Sequence, residues 1–431
     1  MMYLSNTRAA DAARTTAGDP PSLAGSPPPT SRAARRVSGT VVALGLVSLV
    51  TDASAEMVTA ILPLYLMYGL GLGFLQLGAL DALYTGATAL LRLAGGHVAD
   101  RLGRPKAVAI AGYGLSAVTK LGLPAVGGSL SGLSSVIAVD RAGKGIRTAP
   151  RDALISLSTP VEDLGRAFGV HRALDTAGAL LGPLLGFAII AAIPGGYDVV
   201  FTTSFCLAAV GVLILIFFVT QPRTIVTKAA VSIRAGLAAA TAPELRRLII
   251  AATLLGLVTV GDMFLYFSVQ RTAGLPPKIL PLLPLGTALT FMLAAIPFGR
   301  LADRIGRWKL FLLGHALLLT AYLLIATNTQ GRLIAAAILL LHGLFYAASD
   351  GVLMAYAGPL IPTPLRATGM AVVQTAQALA RAAGALAFGA MAAAVEPTLT
   401  FALFAAALAT AIAAGAWLCR EAKPAPAVGA A

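Results

Sequence analysis

From about residue 39 onwards the chain alternates between long apolar runs and short clusters of Gly, Pro and charged residues. The runs fall near 40–68, 75–98, 106–124, 129–149, 164–193, 198–219, 246–270, 277–300, 309–327, 332–358, 365–394 and 397–419. Most match or exceed the roughly 20 residues that a helix needs to cross the hydrocarbon core of a bilayer. The pattern predicts an all-α integral membrane protein with twelve transmembrane helices. The fifth, tenth and eleventh runs are long for one crossing, which predicts tilt or kinks. Pro63 and Pro183 mark candidate kinks in the first and fifth.

Composition agrees with this reading. The chain of 431 residues is 58% hydrophobic and 12% charged, about half the charge of a soluble domain. A net charge of +14 would suggest nucleic acid in a soluble protein, but no basic patch interleaved with aromatics is present. The charge follows topology instead. With the N-terminus in the cytoplasm, most of the 32 Lys and Arg lie on inside segments, and the outside loops carry only Arg271, Lys278 and Arg332. That is the positive-inside distribution, and it places both termini in the cytoplasm. Residues 1–36, rich in Pro, Ala, Ser, Thr and Arg, read as a disordered cytoplasmic tail. The expected organisation is a six-helix bundle over 37–219, a cytoplasmic linker over 220–245, a second six-helix bundle over 246–420 and a tail over 421–431. Cys206 and Cys419 are too far apart in sequence to suggest a metal or disulfide framework.

An internal repeat supports two halves. "GHVADRLGRPK" near residue 96 returns as "GRLADRIGRWK" near residue 299. Gly96, Asp100, Arg101, Gly103 and Arg104 match Gly299, Asp303, Arg304, Gly306 and Arg307 at a constant offset. Each copy joins the second and third span of a six-span half. This pattern resembles the signature loop of the major facilitator superfamily. The resemblance covers about residues 38–420 and implies two pseudo-symmetric six-helix bundles that alternate access to a central site. "SLVTDASAEM" with "DRAGKGIRTAPRDA" resembles a prokaryotic subgroup that includes drug-efflux-like and distantly ferroportin-like members. The family further implies that the repeated loops act as a cytoplasmic latch. A plain topogenic turn is the alternative.

The unusual chemistry lies in "DRAGKGIRTAPRD", residues 140–152. Arg141, Lys144, Arg147 and Arg151 fall within about 120° of one helix face. An ionised residue at mid-membrane costs about 2.5–3.5 kcal/mol, so the row must face an aqueous cavity or counter-charges. The expectation is a fourth span that lines a pathway, basic towards the cytoplasm. Arg141 also resembles the arginine that proton-coupled family members carry in this span. Asp52 and Glu56 in the first span share a face at i, i+4. Beside a cationic row they can hold or release a proton, bind a cationic drug or divalent metal, or form a static salt bridge to Arg141 or Lys144.

Arg172 and Asp175 pair at i, i+3 in the fifth span. Asp81 and Arg92 are expected to pair with other helices. Asp262 stands almost alone in the seventh span, and Lys120 is expected to snorkel from the third. Gln374, Gln377 and Arg381 form a polar stripe in the eleventh. Arg147 and Asp350, at matching positions of the two halves, are expected to approach across a cytoplasmic gate. Gly178, Gly182, Pro183 and Gly186 in "GALLGPLLG" resemble the family's exporter motif with one glycine missing.

No phosphate-binding Gly-rich loop and no hydrolase or metalloprotease motif occurs. The expected function is therefore a carrier and not an enzyme: a monomeric bacterial inner-membrane exporter of a small molecule, without cofactor or resident metal. It would be driven by the proton gradient in antiport. A divalent-metal exporter and an organic-anion transporter are the alternatives.

Overall fold

The computed structural model describes residues 38–102, 104–127, 129–159, 164–220, 241–349, 351–361 and 366–419. Among them are helices and no strand. Twelve helical rods follow one another: α1 (Gly39–Gly69), α2 (Phe74–Leu102), α3 (Pro105–Ala125), α4 (Leu130–Leu157), α5 (Leu164–Ala192), α6 (Tyr197–Phe218), α7 (Pro243–Thr272), α8 (Pro277–Ile305), α9 (Arg307–Ala326), α10 (Arg332–Leu360), α11 (Arg366–Ala394) and α12 (Pro397–Leu418). Nine of these are long and apolar enough to cross a membrane; α2, α4 and α11 are not among the nine. In α4 charged residues interrupt the apolar run.

Local signals set the ends. The Ser129 hydroxyl caps α4 by accepting from Gly132 N–H at 3.2 Å. Proline opens α3 and α12, where a missing N–H costs nothing. Gly306 turns from α8 into α9 with φ of 99°, a conformation that favours glycine.

Two rods are broken. α7 is helical over Pro243–Leu257 and again over Asp262–Thr272, where the sequence suggests one continuous span. Its break is held by α9: Val260 N–H donates to the Tyr322 hydroxyl at 2.7 Å. Unwound backbone inside a membrane survives only where protein satisfies it or water reaches it. α10 breaks at Gly351, with φ of 79°.

The packing repeats. α1 packs on α5 and α6, α2 on α4, and α3 on α4 and α6; the second half repeats each pairing with α7 to α12. Across the halves α2 meets α11 extensively, and α5 meets the start of α8. The α2–α11 contact is close because Gly78 faces Gly389: a Cβ at either would lie about 3 Å from the other's Cα. The buried apolar residues form two clusters. One joins the α1–α2 end of the first half to the second half; the other, around Val41, Leu44, Tyr113 and Ile155, stands apart at the opposite end. Aromatic contacts seal the joined end: Tyr68 to Phe267 at 6.3 Å and Phe74 to Phe264 at 6.2 Å between ring centroids.

Candidate functional site

The basic row of α4 meets counter-charges at almost every step. Lys144 Nζ lies 3.7 Å from Glu56, and both side chains are about 30% exposed. Arg147 is buried, 3.5 Å from Asp52, with its guanidinium 4.2 Å from the centre of the Tyr113 ring. Arg151 reaches Asp152 at 3.0 Å, Asp175 at 3.7 Å and the Ser48 hydroxyl at 3.3 Å. Successive cations of α4 therefore meet successive turns of α1 in antiparallel register, with Asp175 of α5 completing the set. Arg141 is paired with its neighbour Asp140 and lies 3.9 Å over the Tyr84 ring.

Several expectations change. The row does not form an open basic pathway, because α1 and α5 neutralise it. Of the two acids expected to bridge to Arg141 or Lys144, Glu56 does pair with Lys144, whereas Asp52 pairs with Arg147. Lys120 does not snorkel: it is buried, 3.6 Å from Asp140 and bonded to the Ser116 carbonyl at 2.8 Å. Arg172 is paired with Asp175 at 3.2 Å, yet its side chain is 76% exposed. Of the α11 stripe, Arg381 borders the central cavity, whereas Gln374 is exposed and Gln377 half-buried, its carbonyl against Gly256.

Asp262 is not alone. The Tyr346 hydroxyl contacts its two carboxylate oxygens at 2.7 and 2.8 Å. His342 Nε2 lies 3.4 Å away and Arg381 3.9 Å away. Arg381 also donates to the Tyr346 hydroxyl at 3.0 Å. Tyr346 carried no signal in the sequence, since an aromatic residue in an apolar helix usually packs.

Between the halves lies a cavity of about 340 Å³. Glu56, Tyr84 and Asp81 line it from the first half, and Asp262, Tyr266 and Arg381 from the second. Pro63 and Pro183 also border it. Asp81 was legible only as a charge in an apolar run. Among the described residues, no three His, Cys, Asp or Glu side chains converge as a metal site.

The glycines of α5 make a backbone crossing with α1. A Cβ at Gly182 would lie 2.6 Å from Met57 N and 2.7 Å from the Ala53 carbonyl, and one at Gly178 would strike Leu49. A Cβ at Gly186 would instead meet the Ile61 side chain, at 2.9 Å.

At the repeated loop, the second copy makes its contacts within its own half. Asp303 pairs with Arg307 at 3.5 Å, and Arg307 donates to the Ala355 carbonyl at 2.7 Å. Arg304 is exposed, and no atom stands within 4 Å of a Cβ built at Gly299. In the first copy Lys106 donates to the Ile216 carbonyl at 2.8 Å, and Arg104 is exposed at the start of α3. Gly103 and Asp350 lie outside the described residues, as do the side chains of Asp100 and Arg101 and the surroundings of Gly96. The expected Arg147–Asp350 approach therefore rests on a residue outside the description.

The model of the Major Facilitator Superfamily matches residues 44–385 and again 282–430. An MFS-type transporter of Methanocaldococcus jannaschii is 31% identical over 353 residues, covering 79% of this chain and 85% of the relative. A protein of Mycobacterium tuberculosis is 35% identical over 157 residues, 36% of this chain and 38% of its own length. Among solved structures, the nucleoside transporter NupG aligns with a TM-score of 0.74 at 14% identity, over 90% of this chain and 100% of that one. A bacterial homologue of the human lysosomal transporter Spinster, inward-facing and unoccupied, aligns with a TM-score of 0.69 at 16% identity, over 90% and 98%. At these identities the two structures share a fold.

Proposed function

The chain belongs to the major facilitator superfamily of membrane transporters, and on that premise we propose that it is a proton-coupled exporter of a small molecule. The observation that carries this reading is the cavity between the halves, where acids of the first half face an acid and an arginine of the second. Its volume lies in the range of small-molecule pockets. In this reading the two six-helix halves rock about the central site, which opens alternately to each side. With the positive-inside orientation, the sealed α1–α2 end faces outward and the cavity faces the cytoplasm, as the loading state of an exporter requires. The α5 glycines support export through their likeness to the family's exporter motif. The host membrane in this reading is a bacterial inner membrane, with the carrier working as a monomer.

The basic row takes a supporting role here. Lys144–Glu56 is the partly exposed pair beside the cavity; Arg147–Asp52 is the more buried pair and holds α4 to α1. Divalent-metal export gains no support from the described residues, which offer no convergent ligand set. Organic-anion transport is opposed by three carboxylates against one arginine in the cavity lining.

The test is flux in proteoliposomes under an imposed pH gradient, with a cationic dye, ferrous or cobalt ion, and an organic anion as probes. The expected result is pH-driven accumulation of one organic compound class, lost in Asp262→Asn. Flux that ignores the pH gradient would sink the coupling, and transport of the metal ions alone would replace the substrate class.

A further inference from the structure

A smaller cavity of about 30 Å³ lies inside the first half, walled by Thr59 of α1, Tyr84 of α2, Lys120 of α3 and Asp140 and Arg141 of α4, with apolar side chains between them. Glycine contacts on either side of Asp140 hold α3 and α4 at one spacing. A Cβ built at Gly122 would stand 3.0 Å from the Val136 side chain, and one at Gly143 would stand 2.7 Å from the Gly112 carbonyl.

The charges in this wall do not balance. Lys120 and Arg141 are 4% and 5% exposed, and Asp140 is the one acid paired with either among the described residues. The neighbouring acids are committed elsewhere: Glu56 to Lys144 at 3.7 Å, Asp52 to Arg147 at 3.5 Å and Asp175 to Arg151 at 3.7 Å. Asp81 faces the central cavity and the α7 break. One positive charge is therefore left over at Lys120, Asp140 and Arg141. Both oxygens of Asp140 are occupied, Oδ1 by Ser116, Thr119 and Lys120 and Oδ2 by Arg141. The Arg141 Nη1 group makes no hydrogen bond among the described residues. A surplus charge in a low-dielectric interior is costly unless a counter-charge joins it.

We propose that this cavity is a halide site, and that one chloride ion there supplies the missing counter-charge of the first half. Size selects the class of ligand. A cavity needs about 10–15 Å³ to hold one water, so 30 Å³ admits a single monatomic ion and excludes phosphate, sulfate or a carboxylate-bearing molecule. Donors for the ion are present in the wall: the ammonium of Lys120, the guanidinium of Arg141 and the hydroxyl of Tyr84. The Tyr84 hydroxyl pairs with that of Thr59 at 3.2 Å. Thr59, Leu62 and Tyr84 line both this cavity and the central one, and that shared wall is the route by which the ion enters from water. The ion neutralises the seam between α3 and α4 and stays bound while the halves move. The site goes beyond the carrier reading above and does not depend on which substrate is carried.

The experiment uses the full chain in lipid nanodiscs, prepared free of halide at fixed pH and ionic strength with gluconate as the replacing anion. Melting temperature is read as chloride or bromide takes the place of gluconate. The expected result is a rise for both halides of about 2 °C for each tenfold concentration beyond half-saturation. Lys120→Met removes the surplus charge, so its melting temperature in gluconate is at or above that of the wild type, and halide no longer moves it. Bromide soaked into crystals of the wild type gives a direct reading, one anomalous peak inside the cavity, which is absent with Lys120→Met. Equal wild-type melting temperatures in chloride and gluconate, the same halide shift in Lys120→Met as in the wild type, or crystals with water alone in the cavity would each overturn the proposal. If Lys120→Met does not fold, the wild-type shift and the bromide peak decide it.

Discussion

Replacing Asp140 with Asn is expected to unfold the first half before it affects transport chemistry. Asp140 is the anion between two buried cations, Lys120 at 3.6 Å and Arg141, which are 4% and 5% exposed. It also accepts from the Ser116 hydroxyl at 2.5 Å and from Thr119 at 3.4 Å. At 3.6 Å and an effective dielectric of about 20, the attraction to Lys120 alone is about 5 kcal/mol before desolvation. Breaking a buried pair from one side typically costs about 3–5 kcal/mol, because the partner stays buried and uncompensated. Here the loss strands two cations, so the upper end applies, and the folding equilibrium falls by more than about 100-fold. Lys120→Met behaves differently, since Asp140 keeps Arg141 and its two hydroxyl donors. The double variant Asp140→Asn/Lys120→Met removes one of the stranded charges and recovers part of the loss. Thermal melting of the purified protein in detergent gives the order: wild type and Lys120→Met high, the double variant between, Asp140→Asn lowest. If Asp140→Asn melts with the wild type, or if the double variant melts below it, the buried-triad argument is wrong.

Other contacts yield further tests. Gly182→Val places a branched side chain where a Cβ alone would lie 2.6–2.7 Å from α1 backbone; a cost of at least about 1–3 kcal/mol should appear as a lower melting temperature, and an unchanged one would refute the close crossing. Tyr322→Phe leaves the Val260 N–H at the α7 break without its acceptor, at about 1–3 kcal/mol, and hydrogen exchange at Val260 should rise; unaltered exchange would show that the hydroxyl does not hold the break. Tyr346→Phe removes the hydroxyl shared by Asp262 and Arg381. Transport should fall by roughly tenfold or more, as expected for a lost bond to a charged group, while the melting temperature stays near wild type; full transport would deny the cluster a role.

The helices and their order were legible because burial in lipid imposes a simple rule. Every backbone group must be satisfied within its own segment, so apolar runs of sufficient length become helices whatever surrounds them. The repeat around Asp100 and Asp303 likewise revealed the two halves, since a duplicated unit keeps its spacing. The four cations of α4 were visible on one face, and so was the need for something to compensate them. Which acids do so was not visible. The register of α1 against α4 pairs Arg147 with Asp52 and Lys144 with Glu56, and nothing within either segment alone sets that register. Asp262 looked solitary because Tyr346 and Arg381 lie more than eighty residues on, and Asp81 gained meaning only when α2 met the broken α7. Length and hydropathy act within one segment, and the sequence determines them outright. The electrostatics of a membrane cavity depend on which side chains converge from different segments, and only the tertiary packing decides that.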